Sequence, residues 1–280
     1  MIETTVDTAA GTFRIRELTR VETPGARVTV IIVNSLTSRM TLNALASFRK
    51  HSDMPTNYVI VDNFSEQWIL DDLVREAGEH ATIISNFGRP MSIRLGHWDS
   101  LLNAIGVDIG SRWVSTEFGF VCHNDVLALK RGWLSHLVGK IQGDVRGAAF
   151  LRDNIRINAM HVSGYLYDAR LYTQDVANWY PERGVWDVGD HYTQFLRDRG
   201  LKYHVCDSTH NDENAPIRRD PATSWGKPLS VARCLDDEGD VLYMHMGRGA
   251  LKSIGGYSKP GRTSLEEWLD FSEWANKSWQ

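Results

Sequence analysis

Residues 27–63, RVTVIIVNSLTSRMTLNALASFRKHSDMPTNYVIVDN, decide the fold class. Positions 28–33 form an unbroken, β-branched apolar run closed by Asn34. That is the pattern of a strand covered on both faces within a parallel sheet. After it, Leu42, Leu45, Ala46 and Phe48 recur at helical spacing until Pro55 stops the pattern. NYVIVDN at 57–63 then repeats the apolar run with a polar end. Strand, helix and strand within about 35 residues make one βαβ unit.

Outward from that unit the alternation continues. ATIISN (81–86) reads as a third strand, and DSLLNAIGVDIG (99–110) as a helix with Leu101, Leu102, Ile105 and Ile109 on one face. RWVSTEFGFVC (112–122) leads to the polar trio His123, Asn124 and Asp125, and an amphipathic helix is expected after it, through KRGWLSHLVGKI. Helix DHYTQFLRDRG (190–200) and strand LKYHVC (201–206) follow, then a polar, irregular stretch to about Lys227. DVLYMHMGRG (240–249) resumes strand character, and TSLEEWLDFSEWANKSW (263–279) is an amphipathic helix with Leu265, Trp268 and Leu269 on its apolar side. Trp268, Trp274 and Trp279 suit docking on the core more than an exposed aromatic platform.

The totals agree with a globular α/β protein: 280 residues, 42% hydrophobic and 24% charged. No linker-like tract divides the chain, so the expected organisation is an N-terminal extension (1–26), one α/β domain (27–250), and a C-terminal loop and helix packed on it (251–280). A net charge of -4 gives no reason to expect a nucleic-acid partner. Cys122, Cys206 and Cys234 lack metal-ligand spacing and an even count, so buried free thiols are expected. MIETTVDTAAGTFRIR has no apolar signal core, and VTVIIV falls far short of the roughly 20 residues that span a bilayer. A cytoplasmic protein is the expectation, with a homodimer open.

In open parallel sheets, ligands collect beyond the carboxyl ends of the strands. The polar residues there are Asn34 and Ser35, Asp62 and Asn63, and His123, Asn124 and Asp125. Neither GxGxxG nor GxxxxGK follows the first strand, so no dinucleotide or phosphate loop is signalled. An Asp at a strand end can hold a hard divalent cation, which neutralises a diphosphate. Alone, though, HND reads more readily as a polar turn.

The ordered combination changes that reading. VTVIIVN, TLNALASFRKH, VIVDNFS and then HND with GWL resemble, in that order, family 2 glycosyltransferases of the GT-A fold. The resemblance spans roughly 27–210. It implies a Rossmann-like, mostly parallel sheet flanked by helices, a nucleotide-diphosphate sugar donor (UDP-, GDP- or dTDP-linked) and Mn2+ or Mg2+. Carried over by position, Asn34, Asp62 and Asn63 border the nucleotide, and Asp125 is the direct metal ligand. His123 stands where many members have an acid, with Asn124 beside it. Arg94, Asp99 and Asn103 in RLGHWDSLLN fall near the donor phosphates. Ser163 and Gly164 in HVSGYLYDARLY match a strand that passes close to the sugar. In VWDVGDHYTQFL, Asp187 or Asp190 matches the catalytic base of an inverting transfer, with Asp187 slightly favoured. The late metal-ligating His is His210 or His245. The basic loop after His245, with Arg248, Lys252, Lys259 and Arg262, is placed to close over a diphosphate. Two rivals are a nucleotidyltransferase, for which VNSLTSRMT lacks the glycine-rich basic signature, and a non-catalytic sugar-nucleotide-binding protein.

Overall fold

The computed structural model describes residues 2–88, 98–172, 178–182, 184–253 and 255–279. In chain order the elements are β1 (Ile2–Thr8), β2 (Gly11–Thr19), β3 (Val28–Asn34), α1 (Ser38–His51), β4 (Thr56–Asn63), α2 (Gln67–Ala77), β5 (Thr82–Gly88), α3 (Trp98–Ser111), β6 (Phe118–Cys122), β7 (Val126–Ala128) and α4 (Trp133–Lys140). Then come β8 (Val145–Ala149), β9 (Arg152–Asp153), β10 (Ala159–Met160), β11 (Tyr165–Asp168), α5 (Asp190–Asp198), β12 (Lys202–Val205), α6 (Pro221–Trp225), β13 (Ala232–Leu235), β14 (Val241–His245), α7 (Gly249–Ser253) and α8 (Leu265–Ser278).

Among the described residues, nine strands form the main sheet in the order β1-β2-β5-β4-β3-β6-β11-β8-β12. The centre, β5-β4-β3-β6, is parallel throughout, as the apolar runs at 28–33 and 58–61 require. Antiparallel pairings flank it: β2 on β5, and β11 between β6 and β8. Helices cover both faces. Leu45 and Phe48 of α1 and Leu134 and Leu137 of α4 pack on one side, Ile105 and Ile109 of α3 and Leu196 of α5 on the other. α3 approaches β3 closely because Gly106 and Gly110 leave room. A Cβ on Gly106 would stand 2.5 Å from Val33 Cγ1, and one on Gly110 2.6 Å from Ile31 Cγ2.

Residues 2–19, read from sequence as an extension, form a hairpin that continues the main sheet. Its inward residues are few, Val6, Phe13 and Ile15, but all are buried. A second departure follows the HND trio directly. Residues 126–128 are a strand and not the start of a helix, because β7 pairs with β14 in a second sheet, β13-β14-β7. α8 closes that sheet and α1 with Trp268 and Phe271 in the core. Lys50 of α1 donates to the carbonyls of Ala275, Asn276 and Trp279 at the helix end. Trp268 and Trp279 are therefore packing residues. All three cysteines are buried free thiols, as expected. Among the described residues, no helix is long and apolar enough to cross a membrane.

Candidate functional site

Three strand ends build the centre of the site. β6 ends at Cys122, the chain turns through His123 and Asn124, and Asp125 enters β7. Across the ladder, β14 sets His245 opposite Val126, and Met246 N–H donates to the Asp125 carbonyl at 3.0 Å. That register, joining positions more than a hundred residues apart, brings three donors together. His245 Nε2 lies 3.4 Å from Asp125 Oδ1, His123 Nδ1 lies 3.8 Å from the same oxygen, and the two nitrogens are 3.4 Å apart. Asp125 Oδ2 accepts the Gly249 N–H at 2.9 Å, leaving Oδ1 to face the imidazoles. A Cβ on Gly249 would stand 2.6 Å from Asp125 Cβ, so only glycine lets the loop approach this closely.

The electrostatics suit a cation. Burial pushes the His123 pKa down to about 4, only partly opposed by Asp125, so its ring is neutral near pH 7. Burial alone would raise Asp125, but His245, His123 and the Gly249 N–H outweigh it and keep the carboxylate ionised. Two imidazoles and a carboxylate converging within 4.8 Å of one another are a donor set that fits a divalent metal.

Among the late histidines, the structure brings His245 into this triangle and leaves His210 on the exposed rim. Between them stands His161, whose ring centroid lies 5.9 Å from that of His123, 5.7 Å from His245 and 6.1 Å from His210. Its Nδ1 accepts the Ser163 N–H at 3.2 Å. The sequence reading used Ser163 and Gly164 of HVSG but passed over the histidine. Gly164 has a packing role: a Cβ there would stand 2.8 Å from Phe150 and 3.1 Å from Tyr243.

The two candidate acids are treated differently by their surroundings. Asp187 Oδ2 pairs with Arg156 at 2.9 Å, and the same guanidinium nitrogen reaches Asp153 at 3.0 Å. Asp190, buried at the start of α5, accepts the Asp187 N–H at 2.7 Å and has no ion pair among the described residues. Burial pushes its pKa up to about 6, Asp153 and Asp187 adding to that, the Asp187 N–H and Arg156 opposing it. The charge of Asp187 acts on His123, so acids and imidazoles share one region.

The nucleotide-side candidates line the carboxyl ends of β3 and β4 as buried scaffolding. Asn34 donates to Asp62 Oδ1 at 2.6 Å and accepts from Thr41 Oγ1 at 2.5 Å, and Asn124 in turn donates to Thr41 at 3.3 Å. Asp62 also accepts from the Ser65 N–H and hydroxyl. Asn63 donates to the Leu102 carbonyl at 2.8 Å and so fixes α3. Among the described residues, Asn103 Nδ2 is buried without an acceptor. Arg94 and the side chain of Asp99 lie outside the described residues. Arg248 holds a left-handed backbone, φ 60°, with its guanidinium 5.0 Å from the Tyr257 ring centroid. Burial lowers the Lys252 pKa, opposed by Asp125, so this loop lies against the His123–Asp125–His245 corner.

No family model matches the chain, and no curated protein matches it. Among solved structures it is similar to a mannosyltransferase from Pyrobaculum calidifontis in complex with GDP-Man and Mn2+, with 16% identity, 74% of this chain and 63% of that one covered, and a TM-score of 0.48. It is also similar to glucosyl-3-phosphoglycerate synthase from Mycobacterium tuberculosis with Mn2+, UDP-glucose and phosphoglyceric acid, with 10% identity, 65% and 69% covered, and a TM-score of 0.45.

Proposed function

We propose that the protein is a metal-dependent, inverting glycosyltransferase that moves a sugar from a nucleoside-diphosphate donor to an acceptor hydroxyl. The convergence of His123, Asp125 and His245 beyond the carboxyl end of the parallel strands, beside the Asp187–Asp190 acids, carries this reading. A bound divalent cation would supply positive charge to the leaving diphosphate. The protein's own residues do the rest. Asn34, Asp62 and Asn63 stiffen the floor on which a nucleotide would rest, and Asn103 Nδ2 on α3 has no acceptor among the described residues. Arg248 and Lys252 bring further positive charge to the phosphate side and help to exclude water.

The base in this scheme is Asp190, in preference to Asp187. Asp187 is held by Arg156, whereas Asp190 has no cationic partner among the described residues and a pKa near 6, matched to proton abstraction at neutral pH. As the acceptor oxygen bonds to the anomeric carbon, the bond from that carbon to the diphosphate oxygen breaks. The acceptor proton passes to the Asp190 carboxylate.

The test is a panel of UDP-, GDP- and dTDP-sugars with a divalent cation, read by nucleoside-diphosphate release with and without candidate acceptors. Asp125→Ala should remove release and metal-dependent donor binding while the circular dichroism spectrum is kept. Full activity in that variant would refute the assignment. Donor binding without release in any combination would point instead to a non-catalytic sugar-nucleotide-binding protein.

A further inference from the structure

We infer that the His123–Asp125–His245 site selects a late first-row transition cation, of the Co2+ or Zn2+ class, over Mg2+. The inference rests on reading this corner as a cation site and specifies which cation it takes.

The argument starts from the donor atoms. Two of the three are imidazole nitrogens and only one is a carboxylate oxygen, because His123 occupies the turn after β6 and His245 the end of β14. Imidazole favours the borderline metals, whereas Mg2+ prefers oxygen ligands and retains its waters. Asp125 offers that ion one uncommitted oxygen, since Oδ2 already accepts the Gly249 N–H at 2.9 Å. A bidentate carboxylate would have to share Oδ2 with that N–H.

Spacing supports the same conclusion. The donor separations are 3.4, 3.4 and 3.8 Å. Ligands about 2.1 Å from a tetrahedral ion stand about 3.4 Å apart. Adjacent ligands at that distance from an octahedral ion stand about 3.0 Å apart. The folded chain thus already holds a triangle close to tetrahedral size, with no contraction of the β7–β14 ladder needed. Such a preformed nitrogen-rich set pays least when it binds an ion content with few waters. His161 behind the two rings, its Nδ1 engaged by Ser163, adds no oxygen donor that would favour Mg2+.

Metal binding to the chelator-treated protein, measured calorimetrically for Mg2+, Mn2+, Co2+ and Zn2+ at one pH, tests this without any sugar donor. Co2+ and Zn2+ should bind one site on the order of 100-fold more tightly than Mg2+, with Mn2+ between. The Asp125→Ala variant should lose that site, and the visible absorption of bound Co2+ should show intense four- or five-coordinate bands. In His123→Asp the ratio of Zn2+ to Mg2+ affinity should fall at least tenfold. Equal affinities for Mg2+ and Zn2+ in the wild type, or a ratio unchanged in His123→Asp, would overturn the inference. The two readings fail separately. The metal order holding with no turnover of any donor removes the transferase reading alone, and transfer with Mg2+ bound as tightly as Co2+ removes the selectivity alone.

Discussion

Asp190 Oδ2 accepts the backbone N–H of Asp187 at 2.7 Å, so the first residue of α5 fixes the turn that carries the other acid. The pair is therefore asymmetric: Asp187 faces Arg156, and Asp190 is buried with its pKa raised to about 6. If Asp190 is the base, kcat should rise with pH through about 6 and then level off, since only the ionised carboxylate accepts a proton. Asp153, Asp187 and Arg156 are the charged groups that act on it. Asp190→Asn should lower kcat by about 100-fold or more and abolish that limb, while Asp187→Asn retains it. A limb near 6 persisting in Asp190→Asn would assign the base elsewhere.

The same group makes a stability prediction with a definite sign. A carboxyl whose folded pKa is raised is harder to ionise in the native state, so its penalty is absent below its unfolded value, 3.8, and complete above about 6. Asp190→Asn keeps an acceptor for the Asp187 N–H and removes the charge. It should stabilise the protein by about 2 kcal/mol at pH 7 and not at all below about pH 4. Urea unfolding at the two pH values measures the difference, and equal increments at both would contradict it.

Gly249 is required by its neighbour rather than by its own backbone conformation. A methyl group there would stand 2.6 Å from Asp125 Cβ and 2.9 Å from Oδ2, forcing the carboxylate to shift. Gly249→Ala should weaken metal binding by roughly 10- to 100-fold, as loss of an outer partner does, and also lower the melting temperature, because the clash falls on the Cβ of buried Asp125. Calorimetric metal titration beside a thermal melt separates these effects.

Asn63 joins β4 to α3 through the Leu102 carbonyl and accepts from Asn86 Nδ2 at 2.9 Å. Asn63→Ala would leave the buried Asn86 Nδ2 without this acceptor and remove the tie between β4 and the Leu102 carbonyl of α3. The expected cost is about 2 kcal/mol, or roughly 5 °C in Tm. An unchanged Tm would mean that water or a rotated Asn86 repairs the gap.

How much of this was legible in the sequence depends on the range of the interaction. The β3–α1–β4 unit was, because its apolar periods are local and Pro55 marks the turn. Asp125 was singled out through the resemblance, since a polar trio at a strand end reads locally as a turn. The choice between His210 and His245 was not, since it rests on the β7–β14 register, and a three-residue strand is too short to show a period. The N-terminal hairpin escaped notice because its burial comes from pairing with β5, far along the chain. His161 and Arg156 carry no pattern of their own. Their place follows from β10 and from the loop near Asp187, which no local rule predicts.

The pairing of Val126 with His245 also has a consequence for biosynthesis. The first seven strands and four helices can be translated and the parallel centre of the sheet can form, yet the corner at Asp125 lacks one donor until residue 245 has been synthesised. Until then a nascent chain presents two of the three donors. A fragment ending before β14 would keep the sheet centre but have no complete triangle. The set of three donors is completed only when the strand carrying His245 closes on the strand that follows Asp125.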